Sequence, residues 1–187
     1  PATKTMMANL EGVDQDKVDY TITENLGYGY IGINAAYVKD IEVRKAIMSA
    51  INPKYALDYY NSTDLASIIY RPMSKTLVDY YPTEAKAYYP VDETGKTALA
   101  YVQEAGYEMK NGVLTNSAGE KLKFTFTIAG DSQDHPAYNA LNNAAKVLNN
   151  IGFDITVTTD STALVKLATG RLEVWAAAWS SSSDPDM

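Results

Sequence analysis

Between Leu122 and Trp179 the apolar pattern switches repeatedly between two periods, and no other feature restricts the fold as much. Leu122, Phe124, Phe126 and Ile128 face one way and Lys123, Thr125 and Thr127 the other. Strict alternation of this kind predicts a strand with one covered face. Pro136 then opens a helix that presents Ala137, Leu141, Ala144, Leu148 and Ile151 before Gly152. Alternation returns in Phe153, Ile155 and Val157 against Asp154, Thr156 and Thr158. Asp160 or Ser161 caps a helix through Leu164, Leu167 and Ala168, which Gly170 stops. Leu172 to Trp179 is apolar on both faces except for Glu173, the pattern of a central strand. Gly106, Gly152 and Gly170 each follow a helical stretch, where glycine supplies the left-handed residue that redirects the chain. The β-α-β-α-β order over 121–179 implies right-handed crossovers and an α/β fold, a mixed sheet with packed helices.

The first half is less regular. Residues 2–11 predict a short helix. Val18 to Asn25 and Tyr28 to Asn34 read as two strands rich in Tyr, Ile and Thr, separated by Gly27. Asp40 caps a helix with apolar positions Val43, Ala46, Ile47, Ala50 and Ile51. Asn52 caps a second helix over 53–60, with Pro53 at its first position. Residues 61–91 hold Pro72, Pro82, Pro90 and many tyrosines without a clean period, which predicts loop. A helix from Thr94 to Ala105 buries Ala98, Leu99, Val102 and Ala105. Asn111-Gly112 starts a hairpin that turns again at Asn116-Ser117-Ala118-Gly119.

Composition removes whole classes of function. With 187 residues, a chain can bury roughly 70% of its unfolded surface without a disulfide or metal staple. No run approaches the ~20 apolar residues of a membrane-spanning helix. Sixteen Lys and Arg against 23 Asp and Glu give a net charge of −7, which argues against nucleic acid as a partner. Zero cysteines exclude thiol catalysis, Cys-based zinc sites and disulfides. The single histidine, His135, lies in Gly130-Asp131-Ser132-Gln133-Asp134-His135-Pro136 and reads as a solvated loop residue. One histidine supports neither a multi-His metal site nor most catalytic triads, and no GxSxG, HExxH, P-loop or GxGxxG pattern occurs. A hydrolase working through carboxylates alone remains open, although no pair of acids stands out. We expect no catalytic residues, no metal and no cofactor.

Candidate binding residues lie at the end of the apolar strand. Ligands of α/β sheets sit outside the carboxyl ends of strands, here the loop Ser180-Ser181-Ser182-Ser183-Asp184-Pro185. The alternative is a flexible polar terminus. Trp175 and Trp179 are four apart and point to one face; the first is assigned to the core and Trp179 to a ligand. Tyrosine pairs at Tyr59-Tyr60, Tyr80-Tyr81 and Tyr88-Tyr89 read as partly buried surface, or as a pocket that covers varied groups. The chain starts at Pro1 and stops at Met187 just past its most apolar strand, so it reads as a piece of a longer protein.

Several stretches, taken in order, resemble a known family. Tyr30-Ile31-Gly32-Ile33-Asn34, then Val43-Arg44-Lys45-Ala46-Ile47 and Ala50-Ile51, are similar to the "yigfN … vRqAi … AidR" run of family 5 extracellular solute-binding proteins. Lys96 to Tyr107 is similar to "kAkaLLaeAGy", the hairpin Asn111-Gly112 … Gly119-Glu120-Lys121-Leu122 to "dG … Gk.l", and Leu148 to Phe153 to "L..iGi". Trp179 with Asp184-Pro185 is similar to "gW … pDP". The resemblance covers roughly 27–187. It implies one lobe, residues 1–187, of a two-lobed periplasmic-binding-protein-like fold, with the first lobe and the returning C-terminal segment absent. It further implies an oligopeptide- or dipeptide-binding component of an ABC importer, with permease subunits as partners. The parent would stand at the extracellular face or in the periplasm, tied to a membrane only through an N-terminal anchor.

Departures from the family pattern bear on specificity. "AidR" reads Ala50-Ile51-Asn52-Pro53 here, and Ser182 holds the spacing at which peptide-binding members place a carboxylate for the peptide amine. Asp184 is the nearest acid. Arg44 matches a family position but reads as an ion-pair partner of Glu42. The expected ligand set is Trp179, Ser180, Ser181, Ser182 and Asp184 at the cleft, with Tyr30 and Asn34 near the lobe boundary. Capture of a small oligopeptide without catalysis is the leading reading. An oligosaccharide or other uncharged solute is the alternative within the family, and a carboxylate hydrolase or an adhesion surface the alternatives outside it.

Overall fold

The alternating stretch at 122–128 becomes the centre of the sheet. The computed structural model describes residues 4–13, 16–60 and 65–184. In chain order the elements are α1 (Lys4–Glu11), β1 (Tyr28–Ile33), α2 (Ile41–Ala50), α3 (Lys54–Tyr60), α4 (Lys96–Glu104), β2 (Glu108–Lys110), β3 (Val113–Thr115), β4 (Lys123–Ala129), α5 (Ala137–Asn150), β5 (Asp154–Asp160), α6 (Ala163–Ala168) and β6 (Val174–Trp179). The main sheet runs β1-β6-β4-β5, with β4 parallel to both β5 and β6 and with β1 antiparallel to β6. It is the mixed sheet that the sequence predicts, with β6 central.

From β4 the chain crosses to β5 on one side and then returns past β4 to β6 on the other. Two right-handed crossovers in opposite directions place α5 and α6 on opposite faces of the sheet. The α5 face carries the core. Phe126, Ile128, Val174 and Ala176 meet Leu141, Ala144 and Leu148 of α5, and Ala46, Ile47 and Val102 of α2 and α4 extend the same cluster. Phe126, Ile47, Leu141 and Leu148 are fully buried. Each such side chain stabilises the fold by about 1.5–3 kcal/mol.

Local chemistry sets the ends of these elements. The Asp40 carboxylate accepts from the Glu42 amide at 2.8 Å and caps α2, and Asn52 Oδ1 accepts from the Lys54 amide at 3.0 Å and starts α3. Before α4, Asp92 accepts from the amides and hydroxyls of Thr94 and Thr97, which hold its carboxyl well below the usual carboxylate range. Asn111 (φ 53°) and Gly112 (φ 81°) form the β2–β3 turn with both central residues left-handed, as a two-residue hairpin of this twist requires. Gly152 ends α5 at φ 104°, and its carbonyl takes the Leu114 amide at 2.9 Å, which docks the hairpin beside the helix.

Five expectations are corrected. Val18–Asn25 is not a strand; it is exposed and irregular, with Glu24 accepting from the Thr76 hydroxyl at 3.2 Å. Its composition suits a pleated surface, but among the described residues β1 pairs only with β6, so no neighbour there realises the propensity. The turn at Asn116–Gly119 does not return the chain along the hairpin: after one bridge, Thr115 to Lys121, the chain joins the main sheet as β4. Thr127 is buried, because the sheet is covered on both faces at that point. Leu164, an apolar position of the predicted helix, is 63% exposed, and only Ala163 of the short α6 is buried. Arg44 does not pair with Glu42, which Lys45 holds at 2.6 Å; its guanidinium donates to the Val38 and Lys39 carbonyls at 2.8 Å each.

His135 is also not a solvated loop residue. The ring is half-buried, and Nδ1 accepts from the Ala137 amide at 3.1 Å at the start of α5. Burial pushes its pKa below the ordinary 6.5. The unfolded chain therefore binds this proton more readily than the folded one. The neutral ring's contribution is complete above pH 6.5 and is lost as pH falls toward the lower folded value. Melting temperature should drop between about pH 7.5 and 5.5 in the wild type. His135→Asn, which keeps a capping oxygen but cannot titrate there, should flatten that interval. An equally steep profile in the variant would contradict the assignment.

Candidate functional site

Antiparallel register decides which side chains meet at the edge of the sheet. Tyr28 stands opposite Trp179, Tyr30 opposite Ala177 and Gly32 opposite Trp175. Opposed residues share a face, so both tyrosines and both tryptophans project from the same side of the sheet. The core takes the other side, through Ile31 and Ile33, so Trp175 is not the core residue its strand position suggested. Trp175 lies over Gly32: a β-carbon on Gly32 would come within 2.3 Å of its indole. Only glycine allows that approach. The indole N–H then reaches the Tyr30 hydroxyl at 3.4 Å. Tyr28 and Tyr30 have ring centroids 6.3 Å apart at 57°, within the range of favourable aromatic pairs.

These rings border an open depression of about 430 Å³ lined by Tyr28, Tyr30, Ile31, Pro72 and Trp179. Trp179 is 52% exposed, large for an indole at the end of a central strand. It marks the carboxyl end of β6, the end at which sheets of this kind place ligands. The loop that follows is exposed apart from the half-buried Ser181. Ser181 Oγ donates to the Ser182 carbonyl at 3.2 Å and Ser182 Oγ to the Asp184 carbonyl at 2.9 Å. Pro185 lies outside the described residues.

Of the residues singled out in the sequence, Tyr30 and Trp179 come together at the depression and Ser180 to Asp184 continue from its rim. Asn34 does not join them. It follows the far end of the six-residue β1, roughly 20 Å of strand from Tyr28. There its side-chain N–H donates to the Gly170 carbonyl at 3.1 Å and its Oδ1 accepts from the Ala36 amide at 2.9 Å, a clasp between loops. Sequence reasoning passed over Tyr28, although its parity with Tyr30 was a usable signal. Pro72 had none, because 61–91 lacks any period.

A second, polar groove of about 520 Å³ lies at the opposite ends of the parallel strands, between Tyr37, Asp40, Tyr107, Glu120, Lys123 and Glu173. Two of its carboxylates are engaged: Glu173 accepts from the Thr125 amide at 2.5 Å, and Glu120 from the Asn116 side chain at 2.7 Å. At the carboxyl end of β5, Asp160 is held down to about 2, first by Lys166 and then by the Thr162 hydroxyl and amide. A carboxyl so held is ionised at neutral pH and serves neither as a general acid nor as an effective base.

Residues 4–187 match the sequence model described as "Bacterial extracellular solute-binding proteins, family 5 Middle". Among curated proteins there is no match. The fold is similar to that of the oligopeptide-binding protein AppA from Bacillus subtilis in complex with a nonapeptide, at 23% identity and TM-score 0.70, over 87% of this chain and 32% of that one. The oligopeptide-binding protein from Thermus thermophilus complexed with a pentapeptide gives 19% and 0.67, over 86% and 29%. A mannohexaose-bound periplasmic oligopeptide-binding protein from Thermotoga maritima gives 17% and 0.62, over 86% and 31%. The chain thus spans about a third of the length of each.

The Gly32–Trp175 contact yields a direct test. Gly32→Ala forces the indole off the strand, and overpacking of this kind costs about 1–3 kcal/mol. Denaturant titration should show that loss, together with a shift in the tryptophan emission maximum. Unchanged stability and emission would mean that the indole does not rest on Gly32.

Proposed function

From the premise that this chain belongs to the bacterial extracellular solute-binding proteins of family 5, we propose that it is the second lobe of an ABC-importer binding component. Its task is to capture small oligopeptides between two lobes, without catalysis, and to present them to permease subunits. The parent works at the extracellular face of a bacterial membrane or in the periplasm, and any anchor belongs to its N-terminus. The observation that carries this reading is the half-exposed Trp179, set beside Tyr28 and Tyr30 at the carboxyl end of the central strand.

In this reading Trp179, Tyr28 and Tyr30 cover a non-polar part of the cargo while Ser180, Ser181 and Ser182 meet its amides. Hydroxyls both donate and accept, which suits a peptide backbone. Asp184 is the carboxylate for a peptide ammonium, taking over from the position that Ser182 holds. Two preformed lobes closing on a ligand need only a hinge and a lined cleft. An oligosaccharide is the second reading, favoured by the uncharged, ring-lined depression and by the serine loop.

Two outcomes follow for solution binding. A micromolar complex of the intact protein is about −8 kcal/mol, and one lobe with half of the contacts retains about −4 kcal/mol, a millimolar site. Calorimetry on residues 1–187 alone should therefore find only weak peptide binding; a micromolar constant would contradict the two-lobe account. In the intact protein, Asp184→Asn should weaken peptide binding by roughly 1.5–3 kcal/mol and leave a neutral sugar unaffected. Equal peptide affinity in the variant would remove Asp184 from the site.

A further inference from the structure

We propose that Asn111 is a site of spontaneous covalent modification by water. Its side-chain amide is lost as ammonia, the residue becomes a mixture of aspartate and isoaspartate, and the isoaspartate form releases the β2–β3 hairpin from the end of α5. The proposal goes beyond the solute-binding reading and does not depend on it.

This chemistry needs a backbone nitrogen free to reach the side-chain carbonyl of the residue before it. Asn111-Gly112 is the only Asn-Gly step in the sequence, and a residue without a β-carbon crowds that nitrogen least. Both residues are exposed at the tip of the hairpin. A β-carbon on Gly112 would meet nothing within 4 Å beyond its chain neighbours, so the space around it is open. Among the described residues neither the Asn111 side chain nor the Gly112 amide is held by a hydrogen bond. The turn joins a two-stranded sheet of three residues per strand, with β2 exposed throughout. So small a sheet is marginal on its own, and it opens locally at little cost. Opening matters because the left-handed turn must relax before the nitrogen and the carbonyl carbon align.

Rival asparagines are less free. Asn116, which precedes Ser117, accepts from the amides of Ala118 and Glu120 at 3.1 and 2.9 Å and donates to the Glu120 carboxylate at 2.7 Å. Asn149, in α5, is bonded through both side-chain atoms to the Ile155 backbone. Asn52 precedes Pro53, whose nitrogen carries no proton to lose.

In the reaction the Gly112 nitrogen attacks Asn111 Cγ and gives its proton to solvent base. The Cγ–Nδ2 bond breaks, and ammonia leaves with a proton from water. Water then opens the cyclic imide at either carbonyl. Cleavage between Cγ and the Gly112 nitrogen gives aspartate; cleavage at the main-chain carbonyl carbon gives isoaspartate, with the chain now running through Cβ and Cγ. One water is consumed, one ammonia is released and one negative charge is gained. The aspartate form keeps the turn, because Asp tolerates the left-handed region. The isoaspartate form adds a methylene to the backbone of a two-residue turn, for which the Lys110–Val113 pairing leaves no slack. Leu114, one residue further along β3, is fully buried, and its amide donates to the Gly152 carbonyl at 2.9 Å. That contact is the one that loosens.

The test incubates the intact protein in mildly alkaline buffer at physiological temperature. Mass spectrometry, with fragmentation that separates the two acids, then maps the asparagines. Asn111 should convert before any other asparagine of residues 1–187, with isoaspartate among the products. In the converted protein the Leu114 amide should exchange with deuterium severalfold faster. Asn111→Gly keeps both turn residues free to be left-handed; after the same incubation it should show no conversion there and no change in Leu114 exchange. Earlier conversion at Asn116, or at Asn61, which lies outside the described residues with its neighbour Ser62, would overturn the assignment. Aspartate alone at position 111 would overturn the imide route. Isoaspartate with unchanged Leu114 exchange, or equal acceleration in Asn111→Gly, would overturn the release of the hairpin.

Discussion

Central strand β6 is held on one side by β1, antiparallel, and on the other by β4, parallel, and that double register governs the rest of the molecule. Against β4 it aligns Val174 with Phe126 and Ala176 with Ile128, which closes the core beneath α5. Against β1 it aligns Trp175 with Gly32 and Trp179 with Tyr28, which builds the aromatic wall. A slip of one residue would send the tryptophans into the core and Val174 and Ala176 outward. The missing β-carbon of Gly32 favours the observed register, because it leaves the space against β1 that the Trp175 indole fills.

The crossover pattern explains why the aromatic wall is on the outside. With α5 on the core face and α6 on the other, α6 is too short to extend over the β1–β6 edge. Of its six residues only Ala163 is buried. The tyrosine and tryptophan rings therefore remain partly open, at the strand ends where the loops are free of sheet hydrogen bonding. Asn34 and Gly170 close the opposite end through a side-chain clasp, and in the polar groove there Glu173 and Glu120 already have partners. The sheet thus has one end that is tied down and one end that is available.

Local signals made most of this legible. Leu122 to Ile128 alternates without a break, the glycines at 106, 152 and 170 all adopt positive φ, and Asp40 and Asn52 cap the helices they precede. What was not legible depended on partners. Val18–Asn25 has the composition of a strand and no strand beside it. Leu164 and Val165 have the composition of a buried face, yet α6 turns only Ala163 inward. His135 looks like a loop residue until the Ala137 amide is seen to point at its ring. Trp179 could be chosen from its place at the strand end, and parity with Tyr30 would have found Tyr28. Pro72 arrives from a segment with no period, and only the folded chain brings it to the rings.

The central claim is that the cargo of the intact protein is met at the carboxyl end of β6. A crystal structure of that protein with a bound tripeptide tests it most directly. The account predicts peptide atoms within about 4 Å of the Trp179 ring, with a side chain in the depression bordered by Tyr28 and Tyr30. A peptide seated instead in the polar groove by Glu173 and Tyr107, or one that leaves Trp179 untouched, would contradict it.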